Sequence, residues 1–236
     1  KGQKLAHKAK GVLAMKKVIV ISPHPDDETI GCGGTLLKHI SNGDQVSWVI
    51  VTDMKELPNI NKKKLDKRNE EIIKVSKSYG FHKTFELGFP ATLLDTLPKR
   101  DLISSLADVI NEIKPEILYL PNENDVHTDH EQVFIAASAF TKSFRFPHIK
   151  DIYVYHTLSE TDFNLDPKKT SFKPNYFVDI TEHFDRKLSI MKNYESELGN
   201  HPFPRSVEAI KSHATLMGSI SNTNYAEGFV IIKQIR

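Results

Sequence analysis

His24, Asp26 and Asp27 stand close together in the run Ser22-Pro23-His24-Pro25-Asp26-Asp27-Glu28, and much later His127-Thr128-Asp129-His130 adds two imidazoles and a carboxylate. Residues of these types hold divalent cations and move protons. A cation with three protein ligands and an open position makes water nucleophilic near neutral pH. A carboxylate beside that water serves as general base and then protonates a leaving amine. An N–H donor near the carbonyl oxygen steadies the oxyanion. Together these are the needs of amide hydrolysis. His24, Asp27 and His130 are the candidate ligands, Asp26 the candidate base and His127 the candidate oxyanion donor. Asp129 remains to orient an imidazole from behind.

Positioning these groups falls to the ends of strands. Val18-Ile19-Val20-Ile21 directly precedes the first cluster, and Ile117-Leu118-Tyr119-Leu120 shortly precedes the second. Short β-branched or apolar runs of this kind are strands buried on both faces. Pro23 and Pro25 stiffen the turn, so that side chains at 24, 26 and 27 converge. His127 and His130 at a helix start would share one face.

Strand and helix patterns alternate through the first two thirds. Strands are expected at 18–22, 46–52, 84–87, 117–120 and 152–156, and helices at 33–41, 62–79, 99–113 and 129–140. Beyond these, strands at 176–180 and 229–235 and helices at 182–194 and 206–217 read as a C-terminal α+β extension. The expectation is an α/β, Rossmann-like, mostly parallel sheet with helices on both faces. Ligands then bind at the carboxyl ends of its strands. Residues 15–236 read as one domain and residues 1–14, basic and poor in apolar side chains, as an extension.

The 236 residues are 39% hydrophobic and 26% charged, with a net charge of +2 and one cysteine. That charge offers no footprint for nucleic acid. No stretch has the length of a membrane span, and no signal peptide is legible. These features point to a cytoplasmic location; a homo-oligomer stays open. Cys32 excludes an intrachain disulfide and any paired-cysteine metal motif, and within Gly31-Cys32-Gly33-Gly34-Thr35 it reads as close helix–sheet packing. Trp48 reads as core. Glu28 reads as structural, or as a support behind the site.

The pattern resembles the PIG-L/LmbE-like family of zinc-dependent deacetylases acting on N-acetylglucosamine-type sugars. The matching residues are Pro23 to Glu28, Gly31 to Thr35 and Asp125 to His130. Arg68-Asn69-Glu70-Glu71, Leu87-Gly88-Phe89-Pro90 and Tyr225-Ala226-Glu227-Gly228-Phe229 match more weakly. The resemblance implies a zinc ion held by His24, Asp27 and His130, Asp26 as general acid and base, and His127 near the oxyanion. It also implies Arg68 near sugar hydroxyls or a phosphate. Thr52-Asp53-Met54-Lys55-Glu56 departs from the Thr-Asp-Gly-Glu of many members, which bears on the identity of the sugar.

The implied activity is removal of the N-acetyl group from a small acetamido sugar or sugar conjugate. Its cofactor is Zn2+, with Fe2+, Co2+ or Mn2+ also suited to two histidines and an aspartate. His201, in a polar Pro-bearing loop, is a second candidate for substrate contact; Tyr194 and Glu197 on the preceding helix are weaker ones. The alternatives are a metal-dependent amidase for a larger acyl group or sugar–thiol conjugate, and a carbohydrate-binding homologue without turnover.

Overall fold

The computed structural model describes residues 14–236. The extension expected at residues 1–14 therefore falls, except for Ala14, outside the described residues.

Seven strands form one sheet. β1 (Lys17–Ser22), β2 (Gln45–Asp53), β3 (Lys83–Pro90), β4 (Ile117–Leu120), β5 (Asp151–Tyr155), β6 (Tyr176–Asp179) and β7 (Ala226–Gln234) stand in the order β3-β2-β1-β4-β5-β7-β6. The pairs among β1 to β5 are parallel, and β7 runs antiparallel to both β5 and β6. The mostly parallel sheet expected from the alternating pattern is present. Chain order reverses between β1 and β4, and such a switch point opens a crevice at the carboxyl ends of the strands.

Helices cover both faces: α1 (Asp27–Ser41), α2 (Lys62–Tyr79), α5 (Phe184–Met191) and α6 (Val207–Ser221) on one, α3 (Lys99–Ile113) and α4 (Thr128–Ala137) on the other. The side-chain alternation of strands sets this division. Val18, Val20, Trp48 and Ile50 enter the first core, while Ile19, Ile21, Val49 and Val51 enter the second. Trp48 is fully buried, as its place inside a strand suggests, and its indole N–H donates to Ser22 Oγ at 2.9 Å.

Helix α1 begins six residues earlier than the expected start at 33. The close helix–sheet packing expected of Gly31 to Thr35 is present, because the small size of the three glycines is what α1 needs. A Cβ on Gly31 would lie 2.3 Å from the Tyr155 ring, and one on Gly34 would lie 2.7 Å from Ile180. The helix is also broken at Cys32 (φ −144°, ψ 18°). Gly34 and Thr35 donate their N–H groups to Glu227 at 2.8 Å each, and the Ile30 carbonyl accepts instead from Lys187 Nζ at 2.8 Å. Lys187 and Glu227 are themselves 2.7 Å apart and buried. An ion pair is thus spliced into the hydrogen-bond ladder, an identifiable cause of a kink.

Other boundaries move less. The helix expected at 182–194 is a short 3-10 turn at Thr181–His183 followed by α5, and α4 ends in a 3-10 turn at Ser138–Thr141. Among the described residues no helix is long and apolar enough to cross a membrane.

Candidate metal centre and its cleft

The turn after β1 is held from β2. Pro23 presents its carbonyl to Thr52, accepting the backbone N–H at 3.0 Å and the hydroxyl at 2.8 Å. His24 follows, and its N–H donates to Asp27 Oδ2 at 2.8 Å. From across the switch point, α4 brings His130, whose Nε2 is 3.4 Å from the same oxygen. The ligand atoms of His24, Asp27 and His130 all lie within 4.8 Å of one another.

Two features of His130 fit a cation. The ring is fully buried, with Nδ1 2.8 Å from Asp125 Oδ2. A carboxylate there keeps the proton on Nδ1 and leaves Nε2 with a free lone pair. That Nε2 is buried and has no hydrogen-bond partner. Buried orphan nitrogens are rare enough to need an explanation, and a metal supplies one. His24, His127 and Asp129 form a second group of this kind. Asp129, however, already accepts N–H bonds from Thr92 (2.7 Å) and Leu94 (3.3 Å) and faces His24 Nε2 at 3.0 Å. The first group has the freer donors. Asp129 does stand behind an imidazole, that of His24, while Asp125 holds His130.

Asp26 has the most unusual backbone in the site, with φ 124° and ψ −30°. A side chain at such a φ is strained, and strain of this kind collects at functional positions. Its carbonyl still starts α1 by accepting from Thr29 (3.0 Å) and Ile30 (2.9 Å), but its side chain makes no cap. Its N–H donates to Glu28 Oε2 at 3.1 Å, and Glu28 Oε1 accepts from Tyr194 at 2.8 Å. Glu28 is thus a buried support for the residue two before it. Burial, and then the charge of Asp27, push the Asp26 carboxyl up to about 8 against the pull of Arg205 and Arg68. Asp26 Oδ2 is buried without a hydrogen-bond partner.

His127 accepts the Asp129 N–H on Nδ1 at 3.1 Å. A neutral ring must then carry its proton on Nε2. Burial above all lowers its pKa to about 4, so at neutral pH it is an uncharged donor.

His24, Asp26, Asp27 and His127 form the floor of a cleft of about 470 Å³, a size usual for small-molecule sites. Arg68, Asn69, Leu65 and Ile72 share one face of α2 and line one wall, while Met54 and Leu57 line the approach. Arg68 donates to the Pro25 carbonyl at 3.3 Å and is paired with Glu197. Glu197 also binds Arg205 (3.0 Å), and the Arg205 guanidinium stands 3.7 Å from Asp26 Oδ2. Glu160 completes the lining near His127. Arg205 and Glu160 carry no local signal for these roles, because the residues they meet are distant in sequence, whereas Asp125 opens the run Asp125 to His130 and holds a residue five positions on. His201 is exposed in the turn before Arg205 and lies outside the cleft lining, whereas Tyr194 is buried beneath Glu28.

Residues 19–141 match the PIG-L family, described as GlcNAc-PI de-N-acetylase. The chain is 27% identical to the diacetylchitobiose deacetylase of Thermococcus kodakarensis over 94% of this chain and 85% of that one. It is 30% identical to the uncharacterized deacetylase YaiS of Escherichia coli over 81% and 94% of the respective chains. Among solved structures, the N,N'-diacetylchitobiose deacetylase of Pyrococcus horikoshii superposes with a TM-score of 0.74 at 24% identity, covering 93% of this chain and 85% of that one.

Proposed function

The chain belongs to the PIG-L family, and on that premise we propose that it is a metal-dependent hydrolase that removes the N-acetyl group from an acetamido sugar or sugar conjugate. The observation that carries this reading is His130 Nε2, buried without a partner beside Asp27 and opposite His24. Those three residues would hold the metal, zinc in the first instance, with Fe2+, Co2+ or Mn2+ suited to the same donors. When bound, it supplies Lewis acidity at the amide carbonyl.

The chain's own residues do the rest. Asp26 takes a proton from the attacking water as the C–O bond forms. It returns that proton to the nitrogen as the C–N bond breaks, leaving acetate and a free amine. With its pKa raised to about 8 by burial, the carboxyl holds the returned proton at neutral pH and is ionised for the first duty as pH rises toward that value. His127 donates its Nε2 proton in a hydrogen bond to the carbonyl oxygen while negative charge collects there. Asp129 holds His24 from behind, and Arg68 on α2 faces the sugar or a phosphate attached to it.

The test is acetate release from a panel of N-acetylated sugars by metal-analysed protein, with Asp26→Ala alongside. Metal-dependent release that disappears in the variant, at unchanged metal content, is the expected result. Full activity in Asp26→Ala would remove Asp26 as the base. A second reading, hydrolysis of a larger acyl group, is favoured by the apolar approach formed by Met54, Leu57 and Leu65. It predicts faster turnover of N-hexanoyl- than of N-acetylglucosamine.

A further inference from the structure

A second cavity, of about 380 Å³, opens at the same sheet edge and shares no lining residue with the cleft. Its wall is formed by His156 just after β5, by the β5–β6 loop and by α6. His156 is 6% exposed, and its Nε2 lies 3.0 Å from Asp162 Oδ1. With an ionised Asp162, Nε2 carries the proton and Nδ1 is an acceptor. That Nδ1 is buried and has no partner. His213 stacks on the ring at 4.3 Å, and Phe172 meets it edge-on at 5.3 Å.

The surroundings select among ligands. His156, His213 and Asp162 are not among the groups able to share an ion, since both such groups in the described residues centre on His24. An anion is disfavoured. Burial above all lowers the His213 pKa to about 3, so that ring is uncharged. Asp162, against its partial burial, is kept ionised by the His156 hydrogen bond. The one lysine in the wall, Lys169, lies 3.4 Å from Glu131. What remains, beside the Asp162 carboxylate already engaged by His156 Nε2, is an uncharged imidazole acceptor asking for a hydroxyl donor. Asn122, Asn164 and Ser171 add hydrogen-bonding groups, while Phe172 and Met217 add apolar surface. Polar groups around a rim with apolar surface against C–H faces suit a sugar ring.

We propose that this cavity is a second binding site, distinct from the catalytic cleft, for a neutral polyhydroxylated molecule of monosaccharide size whose hydroxyl donates to His156 Nδ1. The test is saturation-transfer NMR on the metal-loaded full chain with D-glucose, which has no amide to hydrolyse. Three variants are compared: His156→Leu removes the acceptor, Ser171→Trp fills the rim from an exposed position, and Leu65→Trp narrows the cleft instead. The expected result is binding that survives Leu65→Trp and weakens about tenfold or more in the other two, the effect of one lost hydrogen bond. Should His156→Leu fail to fold, Ser171→Trp carries the comparison. No transfer to glucose, transfer unchanged in Ser171→Trp, or transfer lost in Leu65→Trp would each overturn the proposal.

Discussion

Asp125 holds His130 by one carboxylate oxygen, Oδ2 at 2.8 Å from Nδ1, while its other oxygen accepts from Asn122 (2.9 Å) and Thr161 (2.7 Å). The carboxylate is therefore fixed on both sides before it fixes the imidazole. Asp125→Ala frees the ring to rotate and to move its proton to Nε2. Metal affinity should fall roughly 10–100-fold, as read by competition against a calibrated chelator. An unchanged affinity would show that His130 is oriented by packing alone.

Asp26 carries both a candidate catalytic carboxyl and a strained backbone, and two substitutions separate them. Asp26→Ala and Asp26→Gly each remove the carboxyl, so kcat should drop by roughly 10²–10⁴ in both. Only glycine adopts φ 124° without strain. The glycine variant should therefore be more stable than the alanine variant by about 1–3 kcal/mol, measured by urea denaturation. Equal stabilities would mean that the turn relaxes and stores nothing.

The Lys187–Glu227 pair replaces two backbone hydrogen bonds of α1, so its loss is felt twice. Glu227→Ala leaves a buried ammonium and two unpaired N–H groups. The expected destabilisation is about 3–5 kcal/mol, seen as a lower denaturation midpoint. Glu227→Gln, which keeps an acceptor and loses the charge, should fall between Ala and wild type. A near-neutral Glu227→Ala would refute the splice.

His213 gives the fold an acid weakness. Its pKa is about 3 in the folded chain, lowered above all by burial, against an ordinary 6.5. The unfolded chain binds the extra proton between those values, so the His213 contribution is complete above about pH 6.5 and declines as pH falls toward 3. His213→Phe should flatten the loss of stability between pH 7 and 4.5, compared by urea titration at the two pH values. An identical slope in variant and wild type would show that His213 ionises freely when folded.

Much of this was legible in the sequence because the signals are local. His24, Asp26 and Asp27 sit within four residues, as do His127, Asp129 and His130, and the runs before them could only be buried strands. The parallel order of β1 to β5 follows from alternation with helices. What stayed hidden depends on distant partners. Glu160 and Arg205 enter the cleft lining only when the chain after β5 and after α5 returns over the site, Arg205 to within 3.7 Å of Asp26. The early start of α1 was obscured because three glycines within four positions lower helix propensity. Their packing role was legible, and contact with Tyr155 and Ile180 leaves room for nothing larger.

The kink in α1 also sets an order of events. The motif around His24 is synthesised well before the carboxylate that completes its helix, which Glu227 supplies from β7. Until β7 docks, Gly34 and Thr35 have no acceptor and the first turn of α1 has nothing to hold its angle. Assembly of the candidate metal centre is thus tied to completion of the sheet, and a nascent chain does not hold it finished before β7 is in place.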